Sequence, residues 1–233
     1  MLMALRILAL ETSTLDASVA ALDGDRLLGQ TVLDRTRRTA QSFAPAIEHQ
    51  LRSVGWSPRD VQLVAVAVGP GSFTGLRVGV TAAKTLAYAV GAEVFGLNTL
   101  RVIAQQAAVE LPRVCAVLDA QRQQLFVGEF HRAGEQLVET NPTRIEDNAA
   151  WLSRLTPGLA VTGPGLAALG DRLPTGIIVA DAACWTPRAA TVGVAAWQEY
   201  RSGVRQDLWT LNPAYYRSSA AEEKKLAATG SQP

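Results

Sequence analysis

The stretch that most constrains the fold is residues 63–91, LVAVAVGPGSFTGLRVGVTAAKTLAYAVG. The six apolar residues at its start are too few to cross a membrane and are typical of a buried strand. A tight glycine-rich turn follows, and a helical pattern then runs to Ala89, with Gly91 as its expected stop. The glycine loop is defined by Gly69, Gly71, Ser72, Thr74 and Gly75.

A glycine loop that leads into a helix can bind an anion. The first helical N–H groups lack partners, and the helix dipole favours negative charge. A Walker A loop, however, requires Lys followed by Ser or Thr after its last glycine. Here Leu76 and Arg77 follow Gly75. The sequence therefore disfavours a nucleotide-binding interpretation of this loop.

The helix after the loop has two apolar faces separated by a polar stripe. At about 100° per residue, the face that contains Leu76 and Val80 is expected to cover the chain's own sheet. The second face is built of smaller residues, and its glycine costs about 1 kcal/mol relative to Ala in a helix interior. Close approach of another backbone would account for that cost, from either a second layer of the same chain or a partner subunit. The candidate partner-binding residues on this face are Val78, Gly79, Ala82, Leu86 and Ala89.

The segment GPGSFTGLRVGVTAAKTLA closely resembles the glycine-loop helix of the TsaB (YeaZ) family. The resemblance covers most of the chain and is strongest in residues 7–18, 65–87 and 118–130. It implies a cytoplasmic, non-catalytic scaffold in bacterial threonylcarbamoyladenosine modification of tRNA, one that binds and supports a catalytic paralogue of the TsaD type. Through that complex it implies a TsaE-type ATPase and tRNA as partners, and it implies a homodimer when the chain is alone.

Two positions depart from the family pattern. Glu11 stands where an Asp usually ends the first strand, and residues 38–41 lack the histidine often found in that loop. Both departures weaken the case for a site in those places. Neither departure touches the helical face that contains Gly79.

The order of predicted elements is repeated along the chain. Alternation, turn residues and helix boundaries predict strand-strand-strand-helix-strand-helix-strand-helix in each half. A doubled unit of that order resembles the α/β fold of the actin, hexokinase and Hsp70 ATPases, in which nucleotide lies between the halves. The predicted halves are residues 1–110 and 111–207, and the segment 208–226 is predicted to return to the first half.

In that fold, glycine-containing turns after the first strand of each half hold the phosphates. The corresponding turns here are residues 11–14 and 119–122, and neither contains glycine. Because glycine lets a backbone approach phosphate most closely, both turns are interpreted as degenerate phosphate loops. Two ordinary hairpin turns are the simpler alternative.

Residue patterns for catalysis are mostly missing from the sequence. The two histidines, His49 and His131, form no His-x-x-x-His pair, which the catalytic paralogue carries for its metal. Ser72 does not lie in a nucleophile-elbow pattern. Asp119 and Glu129 could form a carboxylate pair. Alternatively, Asp119 only ends a strand and Glu129 only faces solvent.

From these residues we predict no catalytic, metal or cofactor site. Whether a nucleotide binds at a subunit interface is the one question that these residues leave open. A scaffold subunit is the favoured function. The alternative is a self-sufficient ATPase or small-molecule kinase of the same fold, and a glycoprotease-like peptidase is less favoured still.

Composition narrows the class of protein further. A net charge of +1 gives no sign of the clustered basic charge that binds phosphate backbones. We therefore expect tRNA to bind only through the complex. Cys115 and Cys184 lie in apolar or mixed segments, as in a reduced cytosolic protein. The apolar start of the chain is interrupted by Arg6 and reads as a first strand, and no stretch is long enough to span a membrane.

Overall fold

The computed structural model describes residues 5–34, 39–108, 110–134 and 136–217. The first half begins with a mixed five-stranded sheet of order β3-β2-β1-β4-β5. Strands β1, β2 and β3 pair antiparallel, and β1, β4 and β5 pair parallel. Its elements are β1 (Arg6–Glu11), β2 (Ser18–Asp23), β3 (Arg26–Val32), α1 (Thr39–Ser53), β4 (Leu63–Gly69), α2 (Phe73–Val90), β5 (Glu93–Asn98) and α3 (Thr99–Gln106).

The second half repeats this sheet. Its strand order is β8-β7-β6-β9-β10, with the same mixture of antiparallel and parallel neighbours. The predicted duplication is thus confirmed strand by strand. The elements are β6 (Arg113–Asp119), β7 (Gln124–Ala133), β8 (Gln136–Asp147), α4 (Asn148–Ser153), β9 (Ala160–Thr162), β10 (Ile178–Val179) and α5 (Ala189–Arg201).

Strand β1 lies at the centre of the first sheet, and its apolar run is buried on both faces. Leu8 and Leu10 pack with α1 and α2 on one face, and Ile7 and Ala9 pack with α5 on the other. A central strand covered by helices on both faces needs a continuous apolar sequence and not an alternating one. The strand therefore brings its last residue, Glu11, into a wholly buried place.

The second half departs from the predicted helices. Residues 165–173, at the place of a helix in the doubled order, form two 3-10 turns, Pro164–Ala168 and Gly170–Arg172. A Cβ on Gly163, just before the first of these turns, would lie 2.2 Å from the carbonyl oxygen of Val117, so the chain passes close to β6 there. The final helix begins at Ala189 with Arg188 as its N-cap.

The two halves are joined by helices that pack across the predicted boundary. Helix α5, from the predicted half 111–207, packs on the first sheet, where a Cβ on Gly193 would lie 2.3 Å from Leu22 Cδ1. Helix α3, from the first half, contributes Leu100 and Ile103 to the core of the second sheet. A helix from each half thus packs against the sheet of the other half.

The segment after α5, residues 206–217, is called the strap below. It crosses β5 and α2 of the first half and ends at the second half. Residues 213–217 are extended chain, in which Ala214 N donates to Val68 O at 2.7 Å. The remainder of the predicted returning segment, residues 218–226, lies outside the described residues. Within the described ranges no helix combines the length and apolar character needed to cross a membrane.

Candidate partner-binding site at the glycine-loop helix

The glycine loop turns sharply between β4 and α2. Gly69 and Gly71 have φ values of 128° and 154°, which favour glycine over other residues. Ser72 is the N-cap of α2, and its side chain accepts a hydrogen bond from Gly75 N at 3.2 Å. The helix ends at Gly91 in the left-handed conformation, as predicted.

The turn after β1 lies directly against this loop and the first turns of α2. Ser72 N donates to Ser13 O at 2.7 Å. A Cβ on Gly71 would lie 2.4 Å from Ser13 O, and a Cβ on Gly75 would lie 2.0 Å from Thr12 O. The glycines are therefore needed because the chain's own backbone approaches closely. Carbonyl oxygens face the start of α2, which is the opposite of what an anion site requires.

The structure corrects the reason given for Gly79. A Cβ there would lie 2.2 Å from Thr12 Oγ1, so the close approach comes from a side chain of the same chain. The predicted second face is split between three environments. Gly79 is buried, Ala89 is exposed, and the other members are half-buried against the core that includes Phe43 and Leu51 of α1. Those half-buried members are Val78, Ala82 and Leu86.

What remains open on α2 is a narrow strip that we call the outer face. It is made of small or short side chains, all of them exposed. Half-buried residues that pack toward α1 border it on one side, and the strap borders it on the other. This strip is the part of α2 that a second protein could contact. It consists of Thr74, Thr81, Thr85 and Ala89.

The strap runs along the polar stripe of α2 and contacts it. Lys84 Nζ donates to the carbonyl oxygens of Leu211 at 2.9 Å and Trp209 at 3.3 Å. Tyr88 meets the Trp209 ring edge-on, and both side chains are 69% exposed. Helical periodicity predicts the stripe but not its contact with the strap, because the contacting residues are more than a hundred positions apart. The aromatic residues of the strap were the available signal.

Glu11 is the most perturbed acid near this site. Its side chain is fully buried, and one carboxylate oxygen accepts from Ser13 N at 2.5 Å and from the Ser13 hydroxyl. The other oxygen, Oε2, has no hydrogen-bond partner among the described residues. Burial raises the pKa of Glu11 from 4.5 to about 7, and the two bonds from Ser13 offset only part of that effect.

The second candidate phosphate turn is also built from the chain's own contacts. Gln121, Arg122 and Gln123 all have φ near 60°, so three successive non-glycine residues are left-handed. Asp119 Oδ1 accepts from Gln121 N at 2.8 Å. Such a turn is uncommon for L-residues and differs from a glycine-containing phosphate loop.

The two carboxylates considered as a pair lie apart on the second sheet. Asp119 is opposite Leu125 in the β6–β7 register, whereas Glu129 is opposite Cys115. Glu129 binds Arg144 and Arg154 instead. Burial raises its pKa, but hydrogen bonds led by Arg144 outweigh burial and hold that pKa below its ordinary value. The side chains of the described residues form no group of three or more His, Cys, Asp or Glu suited to a metal.

Comparisons with known proteins identify relatives of this chain in both sequence and structure. A family sequence profile described as "TsaD: tRNA N6-adenosine threonylcarbamoyltransferase" matches residues 27–163. The tRNA threonylcarbamoyladenosine biosynthesis protein TsaB of Bacillus subtilis is 27% identical over 225 residues, which cover 94% of this chain and 96% of that protein. The Escherichia coli protein of the same name is 28% identical over 227 residues, covering 94% and 98%. YeaZ from Pseudomonas aeruginosa superposes with a TM-score of 0.78 at 25% identity, covering 91% of this chain and 99% of that one.

Two equivalent mixed sheets, with a glycine-loop helix in the first, define the class as the actin, hexokinase and Hsp70 ATPase-like fold. Because the profile matches more than half of its residues, the chain belongs to the TsaD family of threonylcarbamoyltransferase-related proteins. The predicted resemblance to TsaB (YeaZ) is confirmed over nearly the whole length.

Proposed function

We propose that the chain is a non-catalytic partner subunit in the biosynthesis of threonylcarbamoyladenosine in tRNA. The observation that carries this proposal is similarity over nearly the full length to a protein named for that pathway. The proposed partner is a catalytic paralogue of the TsaD type. A TsaE-type ATPase and tRNA join through the resulting complex, and the chain alone forms a homodimer.

The outer face of α2 is the proposed contact with the TsaD-type partner. Its side chains are short, so a helix of the partner can approach closely. Val78 and Ala82 are half-buried beside it and would extend the apolar contact. Gly79 is not part of this contact, because it faces Thr12.

Ala89→Arg is expected to weaken association with the TsaD-type partner at least about tenfold without unfolding the chain. The side chain at this position is exposed, so the arginine can extend into solvent in the free subunit but places a charge in the proposed interface. Binding of the purified subunits can be measured by isothermal titration calorimetry, beside a circular dichroism spectrum of the variant.

The matched control is Ala149→Arg, an exposed alanine on α4 in the second half. It makes the same change of size and charge far from the outer face, so affinity should stay as in the wild type. In the source cells, Ala89→Arg in place of the wild-type chain should lower threonylcarbamoyladenosine in total tRNA, measured by nucleoside mass spectrometry. Normal modification and normal binding together would reject the outer face as the contact.

The chain purified alone is expected neither to hydrolyse ATP nor to cleave glycoproteins at a useful rate. Carbonyl oxygens of Thr12 and Ser13 face the glycine loop, and the second turn has Arg122 where a phosphate loop has glycine. Phosphate release and gel analysis of a glycoprotein provide the measurements. Robust turnover by the isolated chain, abolished by Asp119→Ala, would overturn the scaffold proposal.

A further inference from the structure

The strap is fixed first to the edge of the first sheet. Gln206 makes two hydrogen bonds to the backbone of Gly96, with its Oε1 accepting at 2.8 Å and its Nε2 donating at 3.1 Å. Leu211 is buried, and a Cβ on Gly96 would lie 2.6 Å from Leu211 Cδ1. The strap therefore begins in a position set by β5.

Its middle part is fixed to α2. The Tyr215 ring stacks on Phe73 with centroids 4.5 Å apart, and Arg77 Nε donates to Tyr215 OH at 2.9 Å. The Arg77 guanidinium also lies 4.1 Å from the centre of the Phe73 ring. Since these contacts add to the bonds from Lys84, the strap is attached along much of the helix.

The end of the strap reaches the second half. Tyr216 OH accepts from Asn98 Nδ2 at 3.4 Å, and its ring meets Phe126 of β7 edge-on. Arg217 then donates to Ala120 O at 2.7 Å and to Gln124 Oε1. Its guanidinium thus holds the residues on either side of the left-handed turn 121–123.

The left-handed turn 121–123 is strained and needs contacts that stabilise it. A left-handed conformation costs an L-residue roughly 1–2 kcal/mol, and three such residues follow one another here. Backbone hydrogen bonds support the turn, from Ala120 N to Gln124 O at 2.9 Å and from Gln124 N to Gln121 O at 3.0 Å. The bonds from Arg217 are charge-assisted and close the turn from outside.

We propose that the strap is a latch that couples α2 to the second half, with Arg217 as the residue that holds the turn 121–123. A change in the contacts between α2 and the strap then alters the stability of that turn, and the reverse also follows because coupling is reciprocal. This proposal concerns the chain alone and stands or falls independently of the proposed partner.

Amide hydrogen exchange of the isolated chain tests the latch. In Arg217→Ala the amides of Ala120, Gln124 and Asn148 should exchange about tenfold faster, because the turn loses two bonds to a charged group. The Asn148 amide reports on the same turn, since it donates to Gln123 O at 2.9 Å. Arg217→Lys should restore less than half of the protection, because lysine lacks the planar fork.

The matched control is Arg205→Ala, which removes the arginine that directly precedes the strap. Arg205 contacts Glu93 and Tyr200 and does not touch the turn. Exchange at Ala120 and Gln124 should therefore match the wild type. Equal acceleration in Arg205→Ala and Arg217→Ala, or no acceleration in Arg217→Ala, would overturn the latch.

Arg77→Ala tests the coupling from the other end. Arg77 is exposed, so its loss should leave the chain folded even if Arg217→Ala proves too unstable to measure. The amides of Ala120 and Gln124 should exchange about threefold faster, because the strap loses the hydrogen bond to Tyr215 OH and the guanidinium that lies over the Phe73 and Tyr215 rings. Acceleration confined to the α2 end of the strap would contradict the coupling.

Discussion

Gly75→Ala is expected to destabilise the chain by about 3 kcal/mol or more, although glycine to alanine in a helix interior ordinarily stabilises. The new Cβ would lie 2.0 Å from Thr12 O, a backbone atom that cannot move without displacing the turn after β1. Urea unfolding followed by circular dichroism measures the loss. Thr85→Ala, an exposed change on the same helix, is the control and should stay within about 0.5 kcal/mol of the wild type.

Gly79→Ala should destabilise the chain by a similar amount but for a different reason. A second substitution can distinguish the two causes. The clash at this position is with the Thr12 side-chain oxygen, at 2.2 Å. Thr12→Ala should therefore restore most of the stability of Gly79→Ala while leaving Gly75→Ala as unstable as before. Wild-type stability of Gly75→Ala alone would show that the turn does not lie against α2.

The second large effect is a pH dependence of stability that originates at Glu11. Its pKa is about 7 in the folded chain and 4.5 as the reference for the unfolded one, so the folded state binds more protons between these values. The free energy of unfolding should thus fall as pH rises from about 4.5 to 7, by about 3 kcal/mol in total. The contribution is fully present below pH 4.5 and lost above pH 7.

Glu11→Gln should remove this dependence, because a neutral amide of the same shape has no proton to lose. The variant should gain stability over the wild type at pH 8 and differ little from it at pH 4.5, as measured by urea unfolding at both values. Glu48→Gln on the exposed surface of α1 is the control and should keep the wild-type difference between the two pH values. A pH dependence that persists in Glu11→Gln would assign it to other groups.

The sequence predicted the doubled order of elements because it contains strong local signals, most clearly in the first half. The apolar run of β4 and the stop of α2 at Gly91 are examples. Signals were weaker in the second half, where Pro164 and its flanking glycines form 3-10 turns instead of a helix. Gly163 and Gly165 lie there against the backbone of β6, a contact between distant segments that no local pattern reveals.

The candidate site was predicted only in part, for a related reason. Helical periodicity identified which residues of α2 share a face, but it cannot say what lies opposite. Thr12 fills the space beside Gly79, and α1 and the strap cover most of the remaining surface. Of the two departures from the family pattern, Glu11 is a fully buried acid. Residues 39–41, in the segment that lacks the family's histidine, are the first residues of α1.

The packing of α5 on the first sheet has a consequence for synthesis on the ribosome. One face of β1, β2 and β4 is completed only by Val192, Ala195 and their neighbours, which leave the ribosome after almost all of the second half. The N-terminal strands therefore expose an apolar surface while the rest of the chain is synthesised. This differs from domains that fold one after another. A nascent chain stalled before residue 189 should for this reason recruit chaperones, and the released chain should not.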